Sequence, residues 1–151
     1  MTIELPRPAY GDGEPIPALF TCDGQDRSPP LQWGQAPAEA QSLALTMDDP
    51  DAPAGTWDHW IVFNLPPTLT GLPEGAASRG LPAGSLHAAN SWGDQGYGGP
   101  CPPSGTHRNV FSLYASDVQL ELPAGARKAQ VLAALQGHIL GQAEWIGTYS
   151  R

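Results

Sequence analysis

Glycine and proline set the first constraint, because 18 of one and 17 of the other make up close to a quarter of the 151 residues. Proline removes a backbone donor and clashes with the preceding helical turn, and glycine inside a helix costs up to about 1 kcal/mol relative to alanine. A chain punctuated this densely has no room for an all-helical architecture. The same aperiodic enrichment also occurs in low-complexity chains. Here, however, 40% of residues are hydrophobic, five are Trp and only 15% are charged. That supplies enough apolar surface to bury a core. The expectation is one folded domain over residues 1–151, with many turns and long ordered loops.

The formal charge of −8 argues against a general affinity for nucleic acid or an anionic membrane, both of which need a basic face. Met1-Thr2-Ile3-Glu4-Leu5-Pro6 has no basic stretch leading into an apolar segment, so no signal peptide is visible. No apolar run approaches the ~20 residues that span a bilayer. These features lead to the expectation of a cytoplasmic protein. Cys22 and Cys101 are too few for a disulfide scaffold, and in a reducing cytoplasm they are expected to be free, buried thiols.

Strand patterns recur in short runs. Residues 42–47 place Leu43, Leu45 and Met47 on one face, and residues 59–65 are almost continuously apolar, as in a central strand covered on both sides. Residues 110–115 form a third strong candidate, with 16–20 and 144–149 weaker ones. One helix is expected over residues 127–140, where Val131, Leu132, Leu135, Ile139 and Leu140 recur at spacings of three and four. Two stretches, 48–57 and 90–107, show no periodicity. Long loops of this kind inside a compact domain are usually functional, which directs the search for chemistry to them.

The first loop holds Asp48-Asp49-Pro50-Asp51-Ala52-Pro53, followed by Trp57 and His59 where an apolar run begins. Each proline fixes its own φ and extends the residue before it, so Asp49 and Asp51 sit on a stiff segment. The bland reading is that Asp and Pro are ordinary turn residues. The second loop includes Gly99, Pro100, Cys101, Pro102, Pro103 and Gly105 and delivers His107, Arg108 and Asn109 to another apolar run. On neighbouring strands, His59 and His107 would converge on one pocket. Arg108 fits a structural pair with Asp51 or Asp23 better than a ligand contact. His138, near the expected helix end, and His87, after a Gly/Pro/Ser loop, read as surface residues.

These motifs resemble the phosphatidylethanolamine-binding protein family, in its bacterial branch of Raf kinase inhibitor-like proteins. The first family motif matches Asp49-Pro50-Asp51-Ala52-Pro53 with Trp57 and His59; the second matches Gly99-Pro100 through Gly105, then His107-Arg108 and the strand ending Leu113-Tyr114. Thr21-Cys22-Asp23-Gly24, Ser28-Pro29-Pro30-Leu31-Gln32-Trp33 and Gly147-Thr148-Tyr149-Ser150-Arg151 extend the resemblance from near residue 20 to the end. It implies a mainly β fold: an antiparallel β-sandwich with one C-terminal helix, long ordered Pro/Gly-rich loops and a small anion-binding pocket at one end. The implied pocket positions are Asp49, Trp57, His59, Gly99, Pro100 and His107, with Asp51, Arg108 and Asn109 in support. Where the family motif commonly reads His-Arg-Tyr, this chain has Asn109, and a phenol that closes the pocket or donates a hydrogen bond is absent.

The chemistry of such a pocket stands on its own residues. Two imidazoles and loop amides offer donors to a phosphate-sized anion, and an anion favours a protonated ring, so affinity rises as pH falls through the histidine range. Asp49 either orients one imidazole or bonds a cationic group such as an ethanolamine ammonium. The expected function is therefore non-enzymatic binding of small phosphate-containing or other anionic ligands, phospholipid head groups among them, without cofactor or metal. A regulator of a kinase or protease acting by direct protein contact is the alternative, with no partner identified by the sequence. A metal-assisted hydrolase is a third reading, since two His and one Asp also match a facial triad. No Gly-x-Ser-x-Gly elbow surrounds Ser28 or Ser104 to support a nucleophile.

Overall fold

The structure, a computed structural model, describes residues 13–151, and the Met1–Pro6 stretch lies outside them. Ten short elements follow in the order 3-10 helix η1 (Ala18–Phe20), β1 (Leu31–Gln32), β2 (Ser42–Asp49), β3 (Trp57–Leu65), β4 (Gly71–Leu72), α1 (Ala76–Arg79), β5 (Leu86–His87), β6 (Thr106–Ser116), α2 (Lys128–Leu135) and β7 (Ile139–Ser150). A five-stranded antiparallel sheet has the order β5-β3-β2-β6-β7, and β1 pairs with β4 in a second, two-stranded sheet. The fold is mainly β, with two antiparallel sheets and one main helix.

Apolar side chains cover the main sheet on both faces, which explains the unbroken hydrophobic run in β3. One face sends Leu43, Leu45, Met47, Trp60, Val62, Phe111 and Leu113 into a core shared with Leu31, Trp33 and Leu72 of the small sheet and its flanks. The other packs Ala44, Ile61 and Phe63 against Leu120 and against Val131 and Leu135 of α2. Segment 13–16 runs along the outer side of β7. The Gly13 N–H donates to the Ile146 carbonyl and the Ile16 N–H to the Thr148 carbonyl, both at 2.7 Å.

Three sequence expectations change. The helix ends at Leu135, because Gly137 takes a left-handed φ of 84° and turns the chain so that Ile139 and Leu140 open β7. Residues 16–20 form no strand; Pro15 and Pro17 remove donors, and the chain closes into η1 after a single bridge to β7. Cys22 and Cys101 are joined in a disulfide across a separation of 79 residues. The count of two cysteines pointed to free thiols, yet the loop that carries Cys101 lies against the segment after η1. There the Cys22 N–H donates to the Pro100 carbonyl at 3.2 Å.

Candidate functional site

At one end of the main sheet, β2 lies between β3 and β6 and brings their chemistry together. Alternation from Met47, in the core, places Asp49 on the same face of β2, and alternation from Phe111 places Asn109 and His107 on the matching face of β6. β3 would put His59 on the opposite face from its neighbour Trp60. A β-bulge prevents this. Met47 pairs with Trp60 and Asp48 with Asp58, which leaves His59 as the extra residue and turns it toward Asp49 and His107. The two histidines therefore sit on strands separated by β2, not on neighbouring strands.

Asp49, Trp57, His59 and His107 line one cavity of about 270 Å³, together with Ala52, Pro53, Trp92, Cys101, Pro102 and Pro103. Four of the six pocket positions expected from sequence line this cavity, and Gly99 and Pro100 do not. Asp49 Oδ2 accepts a hydrogen bond from His107 Nδ1 at 2.6 Å, while Oδ1 accepts one from the Asp51 N–H at 2.8 Å. Asp49 therefore has the imidazole-orienting role, with both oxygens engaged. With Nδ1 held by the carboxylate, Nε2 is the ring nitrogen that Asp49 does not engage.

His59 is 3% exposed, and its Nδ1 lies 2.7 Å from the Gly98 carbonyl oxygen. A carbonyl only accepts, so Nδ1 carries the proton. Nε2 is buried and has no hydrogen-bond partner among the described residues. Burial pushes the titration of His59 below its ordinary value. The Gly98 carbonyl and the charges of Asp49, Asp48 and Asp26 act in the opposite direction without cancelling it.

Gly99 and Pro100 are not part of the cavity lining; both are buried behind it. The Gly99 N–H donates to Asp26 Oδ1 at 2.8 Å, and a Cβ on Gly99 would come within 2.3 Å of the Phe20 carbonyl oxygen. These two residues fasten the loop to the η1 segment, as does Tyr97, whose hydroxyl donates to the Phe20 carbonyl at 2.6 Å. Asp51 and Arg108 form the expected pair, with Arg108 Nε and Nη2 on the two carboxylate oxygens at 2.9 and 2.8 Å. Those hydrogen bonds hold the Asp51 carboxyl well below the usual carboxylate range. Asn109 is fully buried on the face of β6 that carries His107, and it does not line the cavity.

Other features were not visible in the sequence. Trp92 leans edge-on against both Trp57 and His59, with ring centroids 5.3 and 5.4 Å apart. The only hint was an aromatic residue in a glycine-rich loop. Gly98 makes room for it, since a Cβ there would meet the Trp92 ring at 2.3 Å. His87 is half-buried, not solvated, and accepts a hydrogen bond from Trp60 Nε1 at 3.0 Å. His138 stands outside the helix, 2.8 Å from Asp117. Among the described residues, no group of three His, Cys, Asp or Glu side chains is placed to hold a metal ion.

This geometry defines a β-sandwich with a small cavity at one end of its main sheet. Residues 6–150 match the phosphatidylethanolamine-binding protein family, and the chain belongs to that family. A protein of Methanothermobacter thermautotrophicus described as a UPF0098 protein is 54% identical over 144 residues, covering 95% of each chain. A Mycobacterium tuberculosis protein called "Putative lipoprotein LppC" is 43% identical over 149 residues, covering 97% of this chain and 72% of its own length. The crystal structure of Escherichia coli YbcL, described as a new member of the mammalian PEBP family, superposes with a TM-score of 0.92 at 31% identity. It covers 100% of this chain and 99% of its own. Relatives thus come from archaea as well as bacteria. No helix among the described residues is long and apolar enough to cross a membrane.

Proposed function

We propose that this protein is a non-enzymatic binding module for small phosphate-containing or other anionic ligands, phospholipid head groups among them. The Asp49–His107 pair facing the bulged His59 across one small cavity carries this reading. An oxyanion against His107 Nε2 is met by an N–H once that ring is protonated, and Asp49, bonded to Nδ1, holds the ring in place. The lining contains no serine, and its one cysteine is oxidised, which supports binding over nucleophilic catalysis. The disulfide also supports an oxidising compartment over the reducing cytoplasm expected from sequence.

Titrating inorganic phosphate or phosphoethanolamine while recording the histidine side-chain NMR signals tests the proposal. His59 and His107 are expected to shift at millimolar ligand, with affinity rising as pH falls through the histidine range. Asp49→Asn, which keeps the shape and removes the charge, is expected to weaken phosphate about tenfold. No response from either ring would overturn the reading.

A further inference from the structure

We infer that this site selects oxyanions that carry a proton, a hydrogen phosphate group over a sulfate, with His59 as the specificity-determining residue. The inference rests on the anion-binding reading above and adds the kind of anion. Its basis is the hydrogen-bonding sense of the two imidazoles. His59 is the extra residue of a β-bulge, and its ring is fixed by the bond from Nδ1–H to the Gly98 carbonyl at 2.7 Å. A neutral ring held this way presents only a lone pair at Nε2. That atom is buried, lies on a residue lining the cavity, and finds no hydrogen-bond partner among the described residues.

The two rings then ask different things of a ligand. His107, with Nδ1–H on Asp49, gives a hydrogen bond through Nε2 when protonated. His59 takes one. A phosphate with one P–OH answers both: it accepts from His107 and donates to His59. Sulfate sets a lone pair against a lone pair at His59, or it forces a proton onto a ring that burial keeps neutral. The groups acting on that ring do not change this, since Asp49, Asp48 and Asp26 favour its charge less than burial opposes it. A site whose buried polar atom is left unpaired by the wrong ligand discriminates strongly. Nε2 is buried in the ligand-free protein, so a ligand reaches it by displacing the ring that leans on His59, that of Trp92, which is 46% exposed.

Near neutral pH, phosphate carries at least one proton and sulfate carries none on a similar tetrahedral frame, which makes them the probe pair. Calorimetric titration of the wild-type protein is expected to give an affinity for phosphate at least about tenfold higher than for sulfate, with arsenate following phosphate. His59→Gln, whose amide both donates and accepts, is expected to bring the two affinities within a few-fold of each other. A measurement that needs no variant is long-range proton–nitrogen NMR of the histidine rings. It should show Nδ1 of His59 protonated and Nε2 bare in the free protein, with Nε2 shifting under phosphate and not under sulfate. Equal binding of phosphate and sulfate, or a protonated Nε2, overturns the selectivity and leaves the anion site standing. If neither anion binds, both fall.

Discussion

His59 makes the stability of this fold depend on pH. In the unfolded chain its ring takes a proton near the ordinary value of 6.5, and in the folded chain burial resists that proton. Below the ordinary value the unfolded state binds more protons than the folded one, so stability falls as pH falls, and it levels off once the folded ring also titrates. Urea midpoints measured from about pH 8 to about pH 5 are expected to decline, and His59→Gln should decline less over the same window. His87, half-buried with its titration also lowered, contributes with the same sign and remains in both proteins. Much of the site was legible at this scale. Asp49, Trp57, His59 and His107 stand beside rigid Pro/Gly loops in sequence and around one cavity in space. What stayed hidden was how His59 reaches that cavity. A bulge is a break in alternation, and a run as apolar as 59–65 has no alternation to break.

Elements meet on the opposite face of the sheet through a charge cluster. Asp48 of β2 and Asp58 of β3 are cross-strand neighbours, a repulsive pairing. Lys128, at the start of α2, bonds Asp48 at 2.5 Å and Asp58 at 3.0 Å. Burial disfavours the charge on Lys128, but its two bonds outweigh that and hold its titration above the ordinary value. Lys128→Met leaves two half-buried carboxylates facing each other and is expected to cost about 1–3 kcal/mol in urea unfolding. No sequence signal revealed this cluster, since its partners lie 70 and 80 residues apart. Helix α2 itself was legible, but its end was not. Ile139 and Leu140 continued the helical spacing, and the left-handed turn at Gly137 overrode it. The three long central strands were legible because their apolar runs are bounded by Pro and Gly clusters.

At the scale of the whole molecule, the Cys22–Cys101 bond ties the segment after η1 to the loop before β6 across 79 residues. Closing a loop that long restricts the unfolded chain, and the Cys22→Ser/Cys101→Ser double variant is expected to lose about 2–5 kcal/mol. Because Cys101 also lines the cavity, phosphate should bind that variant a few-fold more weakly. Thermal unfolding and calorimetry of the same sample read both effects. Neither the count nor the spacing of cysteines announces such a bond; the packing of two distant loops does. The net charge of −8 is compatible with one local anion site, because the bonds that hold an oxyanion are short-ranged and the global field acts chiefly on its approach.

The flanks of the main sheet have a consequence for how other polypeptides meet this one. On one side β5 is only two residues long, and on the other the segment 13–16 already occupies part of the outer rim of β7. A two-residue strand on one rim, and residues 146–148 already bonded to segment 13–16 on the other, shorten the backbone that a foreign strand could zip onto. At the cavity end the loops are stiffened by proline and fastened by the Cys22–Cys101 disulfide. A molecule meeting those loops would find them already ordered, which spares the cost of ordering them on binding.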